Sequence, residues 1–285
     1  MLSILIVNWN TRDLLRACLD SLHGYLRGEY EIIVVDNASD DNSAQMVRDE
    51  FPQSQLIASP TNTGYAAGNN LAYQKSHGEW VWLLNPDTEI DETSFSQLLD
   101  FITENPRCGA VASCLVDAQD GSTQHSCRAF PEPAALWFEA LGLAAKYPHS
   151  KQFGFYRMSW WNYNETRQVD QPMASSLLLR REAIESSGGL FDEDFPIYFN
   201  DVDLCWRLHE NDWEIWYVPQ SKVRHHGGAS TSQRRPEMIR ESHQSLERFY
   251  EKQYRKKLNP LIYYLTISLI RLSGWWRVKR ALCAV

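Results

Sequence analysis

The sequence predicts an α/β fold in which a mainly parallel central sheet is flanked by helices on both faces. Three observations carry this. Strand-like and helix-like segments alternate from the first residues to about Val116, an order that builds parallel sheets because each crossover returns the chain to the same edge. The strand candidates Ile4-Leu5-Ile6-Val7 and Trp80-Val81-Trp82-Leu83-Leu84 are continuously apolar, as strands covered on both faces must be. These strands end in Asn, Asp, Ser and Gly, short residues that let loop backbone approach a ligand closely.

Taken in order, the first strand is expected at Leu2–Asn8, followed by Leu14, Leu15, Cys18, Leu19 and Leu22 at helical spacing and a second strand over 31–36. A helix over 43–51, a short strand over 55–59, a helix over 66–76 and a strand over 80–85 continue the alternation. Thr93 reads as an N-cap with Phe95, Leu98, Leu99 and Ile102 on one face, before a strand over 109–116. From about 117 to 171 the periodicity disappears, and Phe130-Pro131-Glu132-Pro133, Trp137-Phe138 and Trp160-Trp161-Asn162-Tyr163 stand out. Long aperiodic loops carry specificity, and aromatic faces suit the apolar C–H surface of a sugar; a lid or a plain hydrophobic patch is the alternative. Order returns with a strand through 173–181, a helix over 182–187 closed by Gly188-Gly189, a strand over 213–219 and an extended segment over 223–230.

A chain of 285 residues with 44% apolar and 22% charged side chains suits one large α/β domain with an appendage. The net charge of -8 excludes nonspecific nucleic-acid binding over the whole surface. Six cysteines without a C-x-x-C pair fit neither a zinc site nor a disulfide framework, which points to a reducing, cytoplasmic compartment. The N-terminus lacks the basic region of a signal peptide. No apolar stretch reaches the roughly 18 to 20 residues of a spanning helix.

The character of the chain changes after about residue 233. Ile239, Leu246, Phe249 and Tyr250 form one stripe, and the apolar run from Pro260 to Ile270 lies between Arg255-Lys256-Lys257 and Trp275-Trp276-Arg277-Val278-Lys279-Arg280. Basic flanks with Tyr and Trp near the ends suit a helix lying on an anionic membrane surface; packing on the domain or on a second copy, as a homodimer, is the alternative. The expected division is a domain over 1–232, with halves at 1–116 and 117–232, and a helical tail over 233–285.

Chemistry is expected first at Leu84-Asn85-Pro86-Asp87, where a buried strand stops and presents oxygen-bearing side chains. Ligands of open parallel sheets sit beyond such strand ends, and hard oxygen ligands suit Mg²⁺ or Mn²⁺; an Asn-Pro turn is the plainer reading. Asn85 is a neutral amide, so Asp87 is the principal anchor. Asp36, ending the second strand, either accepts a hydrogen from a base or ribose or caps a turn. Gly64 and Gly68 do not form G-x-G-x-x-G after the first strand, which disfavours a dinucleotide site. Asn200, Asp201 and Asp203 at a helix start place a carboxylate in the field of the N-terminus within an apolar surround; helix caps and surface acids are the alternative. His225 and His226 point to opposite sides of an extended segment, and Gly227, Gly228, Ser230, Thr231 and Arg234 beyond them suit a phosphate.

As a set, Val7-Asn8-Trp9-Asn10, Val35-Asp36-Asn37-Ala38-Ser39, Asn62-Thr63-Gly64-Tyr65-Ala66-Ala67-Gly68-Asn69-Asn70, Leu84-Asn85-Pro86-Asp87, Tyr198-Phe199-Asn200-Asp201-Val202-Asp203-Leu204 and Val223-Arg224-His225-His226-Gly227-Gly228 resemble family 2 glycosyltransferases of the GT-A type. The resemblance is strongest to bacterial rhamnosyltransferase-like members that build O-antigen and related polysaccharides. It implies a metal-dependent, inverting hexosyl transfer from a dTDP- or UDP-sugar to a lipid-linked or growing glycan, with Mg²⁺ or Mn²⁺ as cofactor and a peripheral location on the inner face of the cell membrane. It implies nucleotide contacts at Asn8, Asn10, Asp36, Asn69 and Asp87, metal contacts at Asp87 and His225, and Asp201 as general base. Ser175, Asp203 and His226 stand as secondary or acceptor-side positions. Asn200 departs from the Glu that the family often has before the base, and Ala174-Ser175-Ser176 from a frequent Gly-Ala. The chemistry agrees, because a single displacement at the anomeric carbon needs one base and one cation. A retaining route needs a second nearby carboxylate, and Asp203 should point elsewhere from a helix start. The alternatives are a nucleotidyltransferase, which lacks its basic phosphate loop here, and an inactive carbohydrate-binding protein.

Overall fold

The structure, a computed structural model, describes residues 1–227 and 235–282. The expected Ser230, Thr231 and Arg234, together with Gly228, lie outside the described residues. The first half runs β1 (Leu2–Asn8), α1 (Arg12–Tyr25), β2 (Tyr30–Asp36), α2 (Ser43–Glu50), β3 (Gln55–Ala58), α3 (Gly64–Lys75), β4 (Trp80–Leu84), β5 (Thr88–Ile90), α4 (Ser94–Glu104) and β6 (Cys108–Asp117). The aperiodic stretch holds β7 (Cys127–Arg128), α5 (Pro133–Ala140), α6 (Leu143–Lys146), β8 (Arg167–Gln168) and β9 (Gln171–Pro172). Then come β10 (Ser176–Arg180), α7 (Arg181–Ser186), α8 (Asn200–Glu210) and β11 (Glu214–His225), and finally α9 (Arg235–Phe249), a π-helical turn at Tyr250–Tyr254 and α10 (Pro260–Leu282).

Among the described residues the main sheet has the order β3-β2-β1-β4-β10-β6-β11-β5, with β8 beside β11. The strands β3, β2, β1 and β4 are parallel, as are β6 and β11. The sheet is mixed at its centre, where β10 runs antiparallel to both β4 and β6. The long excursion after β6 brings the chain back from the opposite end, which the alternation in the first half does not reveal.

Alternate residues of β1 feed two cores. Leu5 and Val7 pack with Ala66 and Ala72 of α3 and Leu204 of α8, whereas Ile4 and Ile6 pack with Leu15, Leu19 and Leu22 of α1. Both faces are therefore dry, which explains the unbroken apolar run; each fully buried Leu or Ile contributes about 1.5–3 kcal/mol.

Thr93 is the N-cap residue of α4, as expected, although its side chain makes no capping bond; the Asp91 carboxylate accepts from the Thr93 backbone N–H at 2.9 Å and from Ser94 Oγ at 2.8 Å. Two expectations need correction. The segments over 213–219 and 223–230 are one strand, β11, carried across Pro219 by a register shift between Val218 and Lys222, a place where a missing N–H is tolerated. Trp161 and Tyr163 do not offer a sugar platform: both are buried, stacked at 4.1 Å, with Tyr217 of β11 edge-on to each.

The tail packs against the domain. Phe249, Tyr250, Tyr254, Tyr263, Ile267 and Ile270 form a third core with Phe195 and Val202 of the α8 region. No helix of the described residues is long and apolar enough to cross a membrane.

Candidate active site

A cavity of about 780 Å³ opens beyond the carboxyl ends of β1, β2 and β4, within the range that holds small organic ligands. Asp87, Ser175, Asp201 and His225 all line it. Sequence reading missed several other lining residues. Trp9, Asn37, Asp40 and Tyr65 come from the loops after β1 and β2 and from α3, Pro196 to Tyr198 from the loop before α8, and Met238 from α9. Trp9, Asn37 and Tyr65 lie inside the motifs already singled out and Asp40 directly follows one; for Met238 no sequence signal exists, because its place depends on how the tail folds back.

Asp87 follows the buried end of β4 and is 6% exposed. Its carbonyl accepts from the His226 backbone N–H at 3.0 Å, while Thr88 pairs with His225 across β5 and β11. That pairing brings His225 Nε2 to 3.5 Å from Asp87 Oδ1. His225 Nδ1 lies 2.7 Å from Gln124 Oε1, and Gln124 Nε2 donates to the His225 carbonyl at 3.0 Å. The second bond fixes the amide so that Oε1 faces the imidazole, and Nδ1 must then donate. With Nδ1 donating, Nε2 is the ring nitrogen that faces the carboxylate oxygen, an arrangement that suits a shared cation. Among the described residues no group of three His, Cys, Asp or Glu side chains converges, so Asp87 and His225 fit a divalent cation only if a ligand supplies further oxygens. His226 points the opposite way, is exposed, and meets Glu89 Oε1 at 3.0 Å.

Asp201 sits in the first turn of α8. Its Oδ1 accepts from the Val202 N–H at 2.9 Å. Burial is the largest influence on this carboxyl group and raises its pKa, overcoming the backbone N–H groups that favour the anion. Asn200 beside it is buried and donates to the carbonyls of Phe195 at 3.2 Å and Ile197 at 2.9 Å. A glutamate there could not donate, so the Asn fixes the cavity rim. Ser175 accepts from Asn85 Nδ2 at 3.0 Å and shares the cavity with Asp201.

The expected nucleotide residues divide. Asp36 is buried, receiving Asn8 Nδ2 at 3.0 Å and the Ser39 N–H at 3.1 Å, and its neighbours Asn37 and Ala38 line the cavity in its place. Asn8 is itself buried and receives Thr11 Oγ1 at 2.7 Å. Asn10 Oδ1 accepts from the Asp40 N–H at 2.8 Å at the edge of an adjoining hollow. Asn69 is buried in α3, where its Nδ2 donates to the Tyr65 carbonyl at 2.9 Å. Asp203, expected on the acceptor side, is fully buried and bonded to Arg207, Lys252 and Gln253. From two residues along the helix it points into the protein.

Among the described residues lining the cavity, the ionisable side chains are Asp40, Asp87, Asp201, His225, Tyr65 and Tyr198, without a Lys or Arg. Three carboxylates around this site repel an anionic ligand, a repulsion that an accompanying cation would offset.

Comparisons with known proteins agree with this architecture. The mannosyltransferase PcManGT from Pyrobaculum calidifontis, solved with GDP-Man and Mn²⁺, superimposes with a TM-score of 0.61 at 17% identity, covering 99% of this chain and 73% of that one. The S. aureus TarS 1-349 structure gives 0.59 at 14% identity, covering 94% and 70%. These likenesses establish a GT-A type fold. In sequence, the N-acetylglucosaminyl-diphospho-decaprenol L-rhamnosyltransferase of Mycobacterium tuberculosis is 28% identical over 97% of this chain and 87% of its own length. The O-antigen biosynthesis protein RfbC of Myxococcus xanthus is 29% identical over 80% of this chain but only 17% of its own length. The profile for Glycosyl transferase family 2 matches residues 3–174, more than half of the sequence, and the chain belongs to that family.

Proposed function

We propose that the chain is an inverting, divalent-cation-dependent rhamnosyltransferase that moves rhamnose from dTDP-rhamnose to a lipid-diphosphate-linked N-acetylhexosamine in cell-envelope glycan assembly. The observation that carries this reading is one cavity holding Asp87, His225 and Asp201 without a Lys or Arg among its described lining. Asp201, its pKa raised by burial, takes the proton of the acceptor hydroxyl as that oxygen attacks the anomeric carbon. Asp201 as the one base on the attacking side, with its helix neighbour Asp203 turned into the protein, supports inversion. Asp87 and His225 would hold a divalent cation, which when bound would neutralise charge on the departing diphosphate oxygen. Asn37 and Ala38 line the nucleotide end, with buried Asp36, held by Asn8, supporting their loop, Asn69 bracing Tyr65 and Asn10 at the adjoining hollow, and Ser175 stands on the acceptor side.

The tail supports work at a membrane. Leu261, Leu265, Leu272, Trp275 and Trp276 are exposed on α10, while Lys279 and Arg280 lie over the rings of Trp275 and Trp276 at 4.0 and 4.6 Å. An apolar stripe edged by cations suits the inner, anionic leaflet, where a lipid-linked acceptor resides.

The test is transfer from dTDP-rhamnose to polyprenyl-diphosphate N-acetylglucosamine with Mn²⁺, with UDP-sugars as competing donors. Formation of the rhamnosylated lipid with inverted anomeric configuration is expected. Pyrophosphate release from dTTP would instead identify a nucleotidyltransferase, and nucleotide-sugar binding without turnover a carbohydrate-binding protein.

A further inference from the structure

The tail reaches the catalytic helix through one fully buried carboxylate. Asp203 Oδ2 accepts from Arg207 Nε within α8 at 2.9 Å. Its other oxygen, Oδ1, is held from outside the helix by Lys252 Nζ at 2.7 Å and by Gln253 Nε2 at 3.0 Å. Both donors belong to the π-helical turn Tyr250–Tyr254, whose wider winding reduces the angle between successive side chains and lets two neighbours reach one acceptor; such turns concentrate at functional sites. Lys252 also bonds Asp192 Oδ2 at 2.6 Å, in the loop that continues to the cavity residues Pro196 to Tyr198.

We propose that Lys252 and Gln253 are positioning residues for the transfer reaction, holding the first turn of α8 through Asp203 and, through Asp192, the cavity rim beside it. The inference rests on Asp201 being the base of the proposed reaction. Asp201 lies half a turn from Asp203, so a shift or roll of that turn moves its carboxylate directly, and misplacement of about 1 Å is enough to cost on the order of 100-fold in rate. Arg207 still neutralises Asp203 when Lys252 is removed, so the fold survives its loss. On this reading the tail, which lies beyond the last residue matched by the family profile, contributes to the site.

The experiment uses the full-length chain with dTDP-rhamnose, Mn²⁺ and polyprenyl-diphosphate N-acetylglucosamine. Lys252→Met should lower kcat by about 10- to 100-fold, with the KM for the donor and the calorimetric affinity for dTDP unchanged, and Lys252→Arg should restore most of the loss. If Lys252→Met fails to fold, Gln253→Leu, which removes only a neutral donor, carries the same test. A kcat equal to that of the parent chain, or a loss matched by weaker dTDP binding, overturns the inference. Asp201→Asn is the reference: turnover there removes the base reading and this inference together, whereas an inactive Asp201→Asn beside a fully active Lys252→Met sinks this inference alone.

Discussion

His225 Nε2 stands 3.5 Å from Asp87 Oδ1 while Gln124 accepts the proton on Nδ1. Two lone-pair-bearing atoms at this spacing repel unless a proton or a cation lies between them, and both side chains are almost completely buried. Water cannot screen the pair well. The backbone pairing of β5 and β11 brings the two side chains together.

Two protein donors are too few to hold Mg²⁺ or Mn²⁺ firmly. Titration of Mn²⁺ into the nucleotide-free chain is expected to give weak binding, and titration in the presence of dTDP to give binding at least tenfold tighter, about 1.4 kcal/mol. Tight binding of Mn²⁺ without nucleotide would contradict the composite site.

Gln124 should matter without touching any ligand. Gln124→Leu removes the acceptor that fixes the His225 tautomer, and losses of roughly 10- to 100-fold in metal affinity are typical for such outer partners. The Mn²⁺ concentration giving half-maximal rate should rise accordingly, with kcat at saturating Mn²⁺ nearly preserved; an unchanged Mn²⁺ requirement would show that the tautomer is fixed by something else.

How far the sequence reveals this site depends on the range of the interactions. The ends of β1, β2 and β4 are local features, and their apolar runs and polar stops place Asp36 and Asp87 correctly at strand ends. Asp201 at a helix start is local as well. The antiparallel β10, the tautomer-fixing Gln124 and the cavity residue Met238 depend on contacts between distant segments, and periodicity carries no record of those. The aromatic cluster misled for the same reason: Trp161 and Tyr163 have the composition of a sugar platform, but their surroundings are the underside of β11.

Gly64 joins two walls of the cavity. It has φ +89°, a Cβ there would meet the Pro196 carbonyl oxygen at 2.8 Å, and that same carbonyl receives the Ala66 N–H at 3.0 Å. Gly64→Ala combines backbone strain with a clash and should cost about 1–3 kcal/mol of stability. Thermal unfolding checks the first effect, and a raised KM for the donor the second, since both walls shift; an unaltered KM would detach this loop from the donor site.

The exposed stripe of α10 makes a membrane prediction. Trp275→Glu with Trp276→Glu should abolish cosedimentation with vesicles containing anionic phosphatidylglycerol, because each large apolar side chain inserted contributes about 1.5–3 kcal/mol. Added salt should weaken binding of the parent chain by screening its cationic edge. Equal binding by parent and variant, or a parent that ignores the vesicles while sedimenting as a dimer, would assign the stripe to another partner.

Asp201 predicts opposite effects on rate and stability. Burial raises its pKa, so the active anion forms only above the ordinary carboxylate range, and the acid limb of kcat/KM should lie above that range and vanish from the profile of no other variant than one altering Asp201 or its surroundings. The stability sign follows from linkage. A carboxyl whose folded-state pKa is raised favours the fold fully below its unfolded value, and that contribution is lost as pH rises through the folded value. At neutral pH the ionised group is therefore a burden on the fold. Asp201→Asn keeps an acceptor for the Val202 N–H but cannot ionise. It should abolish transfer, retain dTDP binding and raise the melting temperature at neutral pH, with the gain shrinking as the pH falls through the raised folded-state value and gone below the ordinary carboxylate value. Residual turnover at the parent rate would remove Asp201 from the chemistry, and a lowered melting temperature would show that its charge is paired by a group still to be found.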